Sequence, residues 1–139
     1  MSEPVRGLIV AHSSLARGLA EAVTQIAGVG DDVLLTLSNE GLGPDGLLQA
    51  VREAVGDGPV ILFTDLASGS CAFTARRLSI DRPRTGIVTG VNLAILLDFV
   101  FHRDAPLPVL VDRLVEKGKS GIIGACTEEG VRVDRAISR

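Results

Sequence analysis

Val5-Arg6-Gly7-Leu8-Ile9-Val10-Ala11-His12-Ser13-Ser14-Leu15 carries the decision about the fold. An aliphatic run of strand length ends at a lone histidine, and a segment of helical period begins at once. The same order recurs along the chain. Strands are expected at 5–11, 33–37, 60–64 and 85–88, alternating with helical segments. The third is apolar at successive positions, as a strand covered on both faces should be, and all four read as central. Alternation of this kind builds βαβ units, so the expected class is α/β, an open, mainly parallel, doubly wound sheet flanked by helices.

The helices follow from spacing and punctuation. Residues 14–27 place Leu15, Leu19, Val23 and Ile26 on one stripe, with Ser13 or Ser14 as the starting cap and Gly28 as the stop. Residues 44–55 align Leu47, Leu48, Val51 and Val55, and Gly56-Asp57-Gly58-Pro59 ends them. Further helices are expected at 70–78, 92–101 and 107–117, with Pro106 and Pro108 marking the break between the last two and Gly118 stopping the third. Apolar residues 121–125 read as a short edge strand, followed by a polar tail. An uncovered apolar edge is a pairing hazard, and reaching across to a second subunit would bury it, so a dimer is expected.

Composition narrows the function. A chain of 139 residues suits one domain that folds without disulfide or metal staples. It is 46% hydrophobic and 22% charged, with four Phe and no Trp or Tyr, so its core must be aliphatic. Fourteen basic residues against 17 acidic ones give a net charge of -3. No basic block or aromatic platform offers itself to a nucleic acid. Cys71 and Cys126 lie far apart with no C-x-x-C spacing, and only two histidines are present to complete a metal site. A reducing cytoplasm is the simpler inference, with both thiols inert. No run spans a bilayer, and Met1-Ser2-Glu3-Pro4 lacks a cationic signal region, so a soluble, unexported protein is expected.

The chemistry is read from position. Ligands of open α/β sheets bind beyond the carboxyl ends of the strands, which is where His12 falls. A lone loop histidine is ordinarily just solvated, so a second residue has to support the reading. Asp65 follows the third strand as His12 follows the first. If those strands are neighbours, its carboxylate fixes the imidazole tautomer, frees the other ring nitrogen, and favours the charge that develops during attack on phosphorus. Ser68-Gly69-Ser70 then forms a small-residue turn into a helix, whose amides and dipole suit a phosphoryl oxygen. The plainer reading of Asp65 is a helix cap.

Taken in order, Gly7-Leu8-Ile9-Val10-Ala11-His12-Ser13, Thr64-Asp65-Leu66-Ala67-Ser68-Gly69-Ser70 and Thr89-Gly90-Val91-Asn92-Leu93-Ala94-Ile95-Leu96-Leu97 resemble the mannose-family IIA component of the bacterial phosphoenolpyruvate-dependent sugar phosphotransferase system. The resemblance implies a IIA domain over residues 1–126 and a C-terminal tail at 127–139. It implies that His12 takes a phosphoryl group from the phosphocarrier HPr and passes it to a histidine of an EIIB component, with Asp65 orienting it. Ser13, Ser68, Gly69 and Ser70 would receive the phosphoryl oxygens. A homodimer exchanging its C-terminal strand is implied too, with no metal or organic cofactor and contact with a membrane only through a permease complex. The family's usual G-G-S-P-F-N reads Ser68-Gly69-Ser70-Cys71-Ala72-Phe73, replacing the first Gly, the Pro and the Asn.

Other readings stay open. A regulatory phosphorylation sensor uncoupled from transport would need the same histidine. So would the phosphoryl-donor subunit of dihydroxyacetone kinase, although Gly90-Val91-Asn92-Leu93 favours the sugar-transport branch. A receiver domain phosphorylated on Asp65 would need an acidic cluster after the first strand, and Val10-Ala11-His12 offers none. Asn92 reads as a helix cap or as indirect support of the site. His102 reads as a helix-end residue, and Arg76 and Arg77 as solvated or partner-facing.

Overall fold

The computed structural model describes residues 3–128 and 130–136. In chain order its elements are β1 (Arg6–Ala11), α1 (Leu15–Ala27), β2 (Leu34–Ser38), α2 (Pro44–Val55), β3 (Val60–Thr64), α3 (Ser70–Asp81), β4 (Thr85–Val88), α4 (Leu93–Val100), α5 (Leu107–Ser120), β5 (Ile123–Glu128) and β6 (Val131–Ala136). The first four strands form a parallel sheet in the order β2-β1-β3-β4. Leu8 of β1 pairs with Leu35 on one side and Leu62 on the other. Only β1 and β3 are therefore central. Strands β2 and β4 lie at the margins of this sheet and are partly exposed, which corrects the expectation of four central strands. Apolar composition reports burial, but strand order depends on which way each crossover turns.

Alternation along β1 divides the core into two layers. Ile9 and Ala11 pack with Val23 of α1, Leu96 and Phe99 of α4, and Leu110 and Leu114 of α5. Leu8 and Val10 pack with Leu47, Val51 and Val55 of α2 and Ala75 and Leu78 of α3. Helices thus cover both faces, as a doubly wound sheet requires. Phe63 meets Phe99 edge to face, with centroids 5.2 Å apart, a contact contributing about 1 kcal/mol beyond its buried area. Gly7 makes room for it: a Cβ there would lie 2.8 Å from Leu34 Cδ1 and 2.9 Å from Phe99 Cε2.

Several local expectations change. The buried stripe of α1 runs through Ala16, Leu19, Ala20, Val23 and Ala27, while Leu15 and Ile26 are exposed. Ser14 occupies the cap position of α1 without a side-chain bond, whereas Gly28 closes it in the left-handed region. Gly118 does not stop α5. It is buried inside that helix, where a Cβ would meet Ile95 Cδ1 at 2.7 Å, so it lets α4 and α5 close together.

The C-terminal strand starts at Ile123, two residues beyond the expected start, and runs through the boundary drawn at Cys126. It pairs antiparallel with β6 as a separate two-stranded sheet rather than as an edge of the main one. Of the segments read from sequence, Met1-Ser2 and residues 129 and 137–139 lie outside the described residues. Among the described residues, no helix is long and apolar enough to cross a membrane.

Candidate active site

The chain leaves β1 for β2 on one side and later returns to place β3 on the other. The connections therefore diverge at the β1/β3 boundary, and a crevice opens beyond those strand ends. His12 and Asp65 follow these two strands directly. The His12 main-chain N–H donates to Asp65 Oδ2 at 3.0 Å, and His12 Nδ1 lies 2.7 Å from the same oxygen. Asp65 Oδ1 accepts the Leu66 N–H at 3.0 Å. Below them, buried Thr64 Oγ1 donates to the Leu66 carbonyl at 2.8 Å, and the Val91 N–H donates to the Thr64 carbonyl at 3.0 Å. The β4–α4 loop thereby fastens the floor of the turn.

Burial by itself pushes the Asp65 carboxyl up. The His12 amide, the His12 ring bond and its charge, and the local backbone outweigh this and hold Asp65 below its ordinary 3.8. It is a carboxylate at neutral pH, and a carboxylate only accepts, so Nδ1 carries the proton and Nε2 the lone pair. Nε2 makes no hydrogen bond among the described residues, and the His12 side chain is 47% exposed. A fixed tautomer with an accessible nitrogen is what a nucleophilic imidazole requires.

The other expected residues lie on loops flanking this dyad and, for Ser70, at the first position of α3. Ser13 has φ 53°, a left-handed conformation uncommon for serine. Gly69 has φ 95° and precedes α3. No atom crowds a Cβ there, so the backbone conformation, rather than close approach, requires glycine. Beyond it, the first amides of α3, from Ser70 to Ala72, lack intrahelical partners and form an anion-facing helix end. Ser13 and Ser68 make no side-chain hydrogen bond among the described residues. Asn92 caps α4, its Oδ1 accepting the Ile95 N–H at 2.9 Å.

Three features escaped the sequence reading. Asn39, just after β2, donates from its main-chain N–H to the Ala11 carbonyl at 3.2 Å and from Nδ2 to Ser70 Oγ at 3.1 Å. Its place after a strand was the available signal. Arg76 is not merely solvated: Nη2 donates to the Ala67 carbonyl at 2.6 Å and ties the Asp65 loop to α3. Arg77 pairs with Asp45 at 3.4 Å and lies over the Phe73 ring. Third, Cys71 is 1% exposed, and its thiol is pushed up from 9.0 by burial and by the Asp65 charge. One donor atom each from His12, Asp65 and Cys71 lies within 4.8 Å of the other two.

The dyad opens onto surface rather than a deep cavity. A hollow of about 350 Å³ beside it is lined by Ser13, Ser14, Arg17, Thr36, Ser38 and Glu40. A larger one, about 860 Å³, follows β2 past Arg6, Glu21 and Leu34 and reaches neither His12 nor Asp65. Volume and chemistry disagree here, and the nucleophile geometry locates the site.

A family profile described as the fructose IIA component of the phosphotransferase system, EIIA-man, matches residues 7–112. The chain belongs to this family. The matched span includes all of β1 but Arg6, the dyad and most of the covering helices. Solved IIA structures share the fold. The phosphotransferase component EIIA from Streptococcus agalactiae aligns with a TM-score of 0.78 at 23% identity, covering 85% of this chain and 95% of its own. The mannose/sorbose-specific IIA subunit from Enterococcus faecalis gives 0.76 at 21%, covering 91% and 98%. No curated protein matches the sequence. As an EIIA-man protein, the chain has a phosphoryl-carrier role in the phosphotransferase system.

Proposed function

We propose that this IIA protein accepts a phosphoryl group from HPr on His12 Nε2 and delivers it to a histidine of an EIIB component. The observation that carries the reading is the shared Asp65 oxygen, which holds both the main-chain N–H and Nδ1 of His12. In each transfer the donor's P–N bond breaks, the leaving imidazole keeps its electron pair, and a new N–P bond forms in line. Asp65 balances the positive charge that grows on the ring, and the amides at the start of α3, with Ser13, Ser68, Gly69 and Ser70, would receive the phosphoryl oxygens. Positioning and electrostatics suffice, because the group arrives activated on nitrogen.

Exposed Leu15, Leu42, Leu66 and Phe73 sit on segments leaving the same strand ends and support docking by proteins rather than by a small molecule. Such a carrier works in the cytoplasm and meets the membrane only through a permease complex. Exposed Ile122 and Ile123, at the start of the β5–β6 hairpin, support a homodimer that exchanges this segment. Light scattering should then give twice the chain mass.

The deciding experiment passes label from phosphoenolpyruvate through enzyme I and HPr to the native chain and to His12→Ala. Acid-labile, base-stable label on the native chain alone is expected. No label from a competent relay returns His12 to an ordinary loop residue.

A further inference from the structure

Beneath the dyad lies a thiol that the transfer reaction does not use. We propose that His12 Nδ1, an Asp65 carboxylate oxygen and Cys71 Sγ form an inhibitory site for a thiophilic divalent cation, zinc being the best fit, and that metal and phosphoryl group exclude one another at His12. The donors come from three places in the fold: the end of β1, the end of β3 and the first turn of α3. Nitrogen, oxygen and sulfur together suit zinc, which binds such atoms at about 2.0–2.3 Å and in reactive sites keeps a fourth position for water. Donors around a tetrahedral zinc stand roughly 3.3–3.8 Å apart by those bond lengths. The 2.7 Å His12–Asp65 contact must open, and the widest separation, within 4.8 Å, must close by about 1 Å. Small side-chain rotations of the three donors would supply that movement, and the half-exposed His12 ring leaves solvent access for the ion.

Two further features favour the site. Zinc with one carboxylate, one thiolate and a neutral imidazole has no net charge, so holding it in a half-buried crevice costs little desolvation. The Asp65 oxygens are already oriented by the His12 and Leu66 amides, the kind of outer support that raises ligand quality.

The consequence for His12 follows from imidazole chemistry. Binding displaces the thiol proton to solvent, and the Nδ1 proton is replaced by the metal while Nε2 takes up a proton. Nε2 becomes an N–H group with no lone pair for phosphorus. Conversely, once Nε2 carries phosphorus, the Nδ1 proton bonded to Asp65 has to leave to solvent before the metal can bind, so the phosphoryl group opposes the metal. The binding site stands on geometry alone, whereas its effect on transfer rests on the function proposed above.

The test titrates zinc chloride into the full chain by calorimetry and cobalt chloride by absorbance. One metal per chain is expected, with a thiolate-to-cobalt charge-transfer band in Cys126→Ser, whose only thiol is Cys71. Cys71→Ala should weaken zinc by at least about 100-fold, a loss no smaller than the roughly 10–100-fold typical of outer-shell partners. Absence of the cobalt band in folded Cys126→Ser, or zinc affinity in Cys71→Ala within threefold of native, overturns the site. In the relay, saturating zinc should stop labelling of the native chain, whereas Cys71→Ala should label at its own zinc-free rate with and without zinc. Equal labelling of native chain with and without bound zinc overturns the exclusion. A native chain that takes no label from a competent relay in zinc-free buffer instead defeats the carrier reading, and the cobalt band still decides the metal site.

Discussion

Two histidines stand beside two aspartates in this chain, and the aspartates' other partners give the pairs different work. Among the described residues, Asp65 accepts hydrogen bonds only from amides and the His12 ring, so its charge is available to the imidazole. Asp98, on α4, accepts Arg113 Nε at 2.8 Å and Nη2 at 3.1 Å, while His102 Nδ1 turns to the Asp98 main-chain carbonyl at 2.7 Å. The Arg113 fork already takes the Asp98 charge, and that bond in turn holds the guanidinium above its ordinary value. One pair is an activated nucleophile at a strand end; the other clamps α4 to α5. A His–Asp contact is therefore informative only after the carboxylate's remaining bonds have been assigned.

Removing each ring tests that contrast most severely. His12→Ala should lose all phosphoryl label, whereas His102→Ala should be labelled within about twofold of native, a loop-distant change of no chemical weight. Comparable losses in both would erase the distinction. Removing the charges comes next. Asp65→Asn should slow labelling on the order of 100-fold, the scale of losing an orienting and charge-balancing partner, with little change in melting temperature. Asp98→Asn should do the reverse, lowering Tm by about 5 °C in thermal unfolding while folded protein labels at the native rate. Acid supplies the smallest effect. Because the Asp65 carboxyl is depressed in the fold, its stabilising contribution is complete above 3.8 and fades as pH falls through the lower folded value. Carbon-detected NMR should find its midpoint below 3.8, and Asp65→Asn should shallow the acid limb of the stability curve. A midpoint above 3.8 would mean that burial outweighs the His12 contacts.

Much of this was legible in local sequence. The starts and stops of the first four strands agree with the structure to within a residue, because Gly, Pro and polar pairs bracket each aliphatic run. His12 and Asp65 followed from a rule about strand ends. The order β2-β1-β3-β4 did not, since it depends on contacts between residues about fifty apart. Asn39 carries no motif and acquires meaning only when β2 settles beside β1. Cys71 looked inert because the turn that brings its sulfur under the dyad is a tertiary feature. The second hairpin strand was hidden by its charges, although Val131-Arg132-Val133-Asp134 alternates with the period of a strand.

Asp65 Oδ2 grips His12 twice, at the backbone and at the ring. With both bonds made and no metal bound, a side chain pinned at both ends is a post, not an arm. It cannot swing out to meet a donor or follow a departing acceptor, so both partners must bring their reactive atoms to the same fixed point in space. The pace of such a relay is counted in well-aimed collisions, and two otherwise unrelated surfaces that visit the post must share one shape.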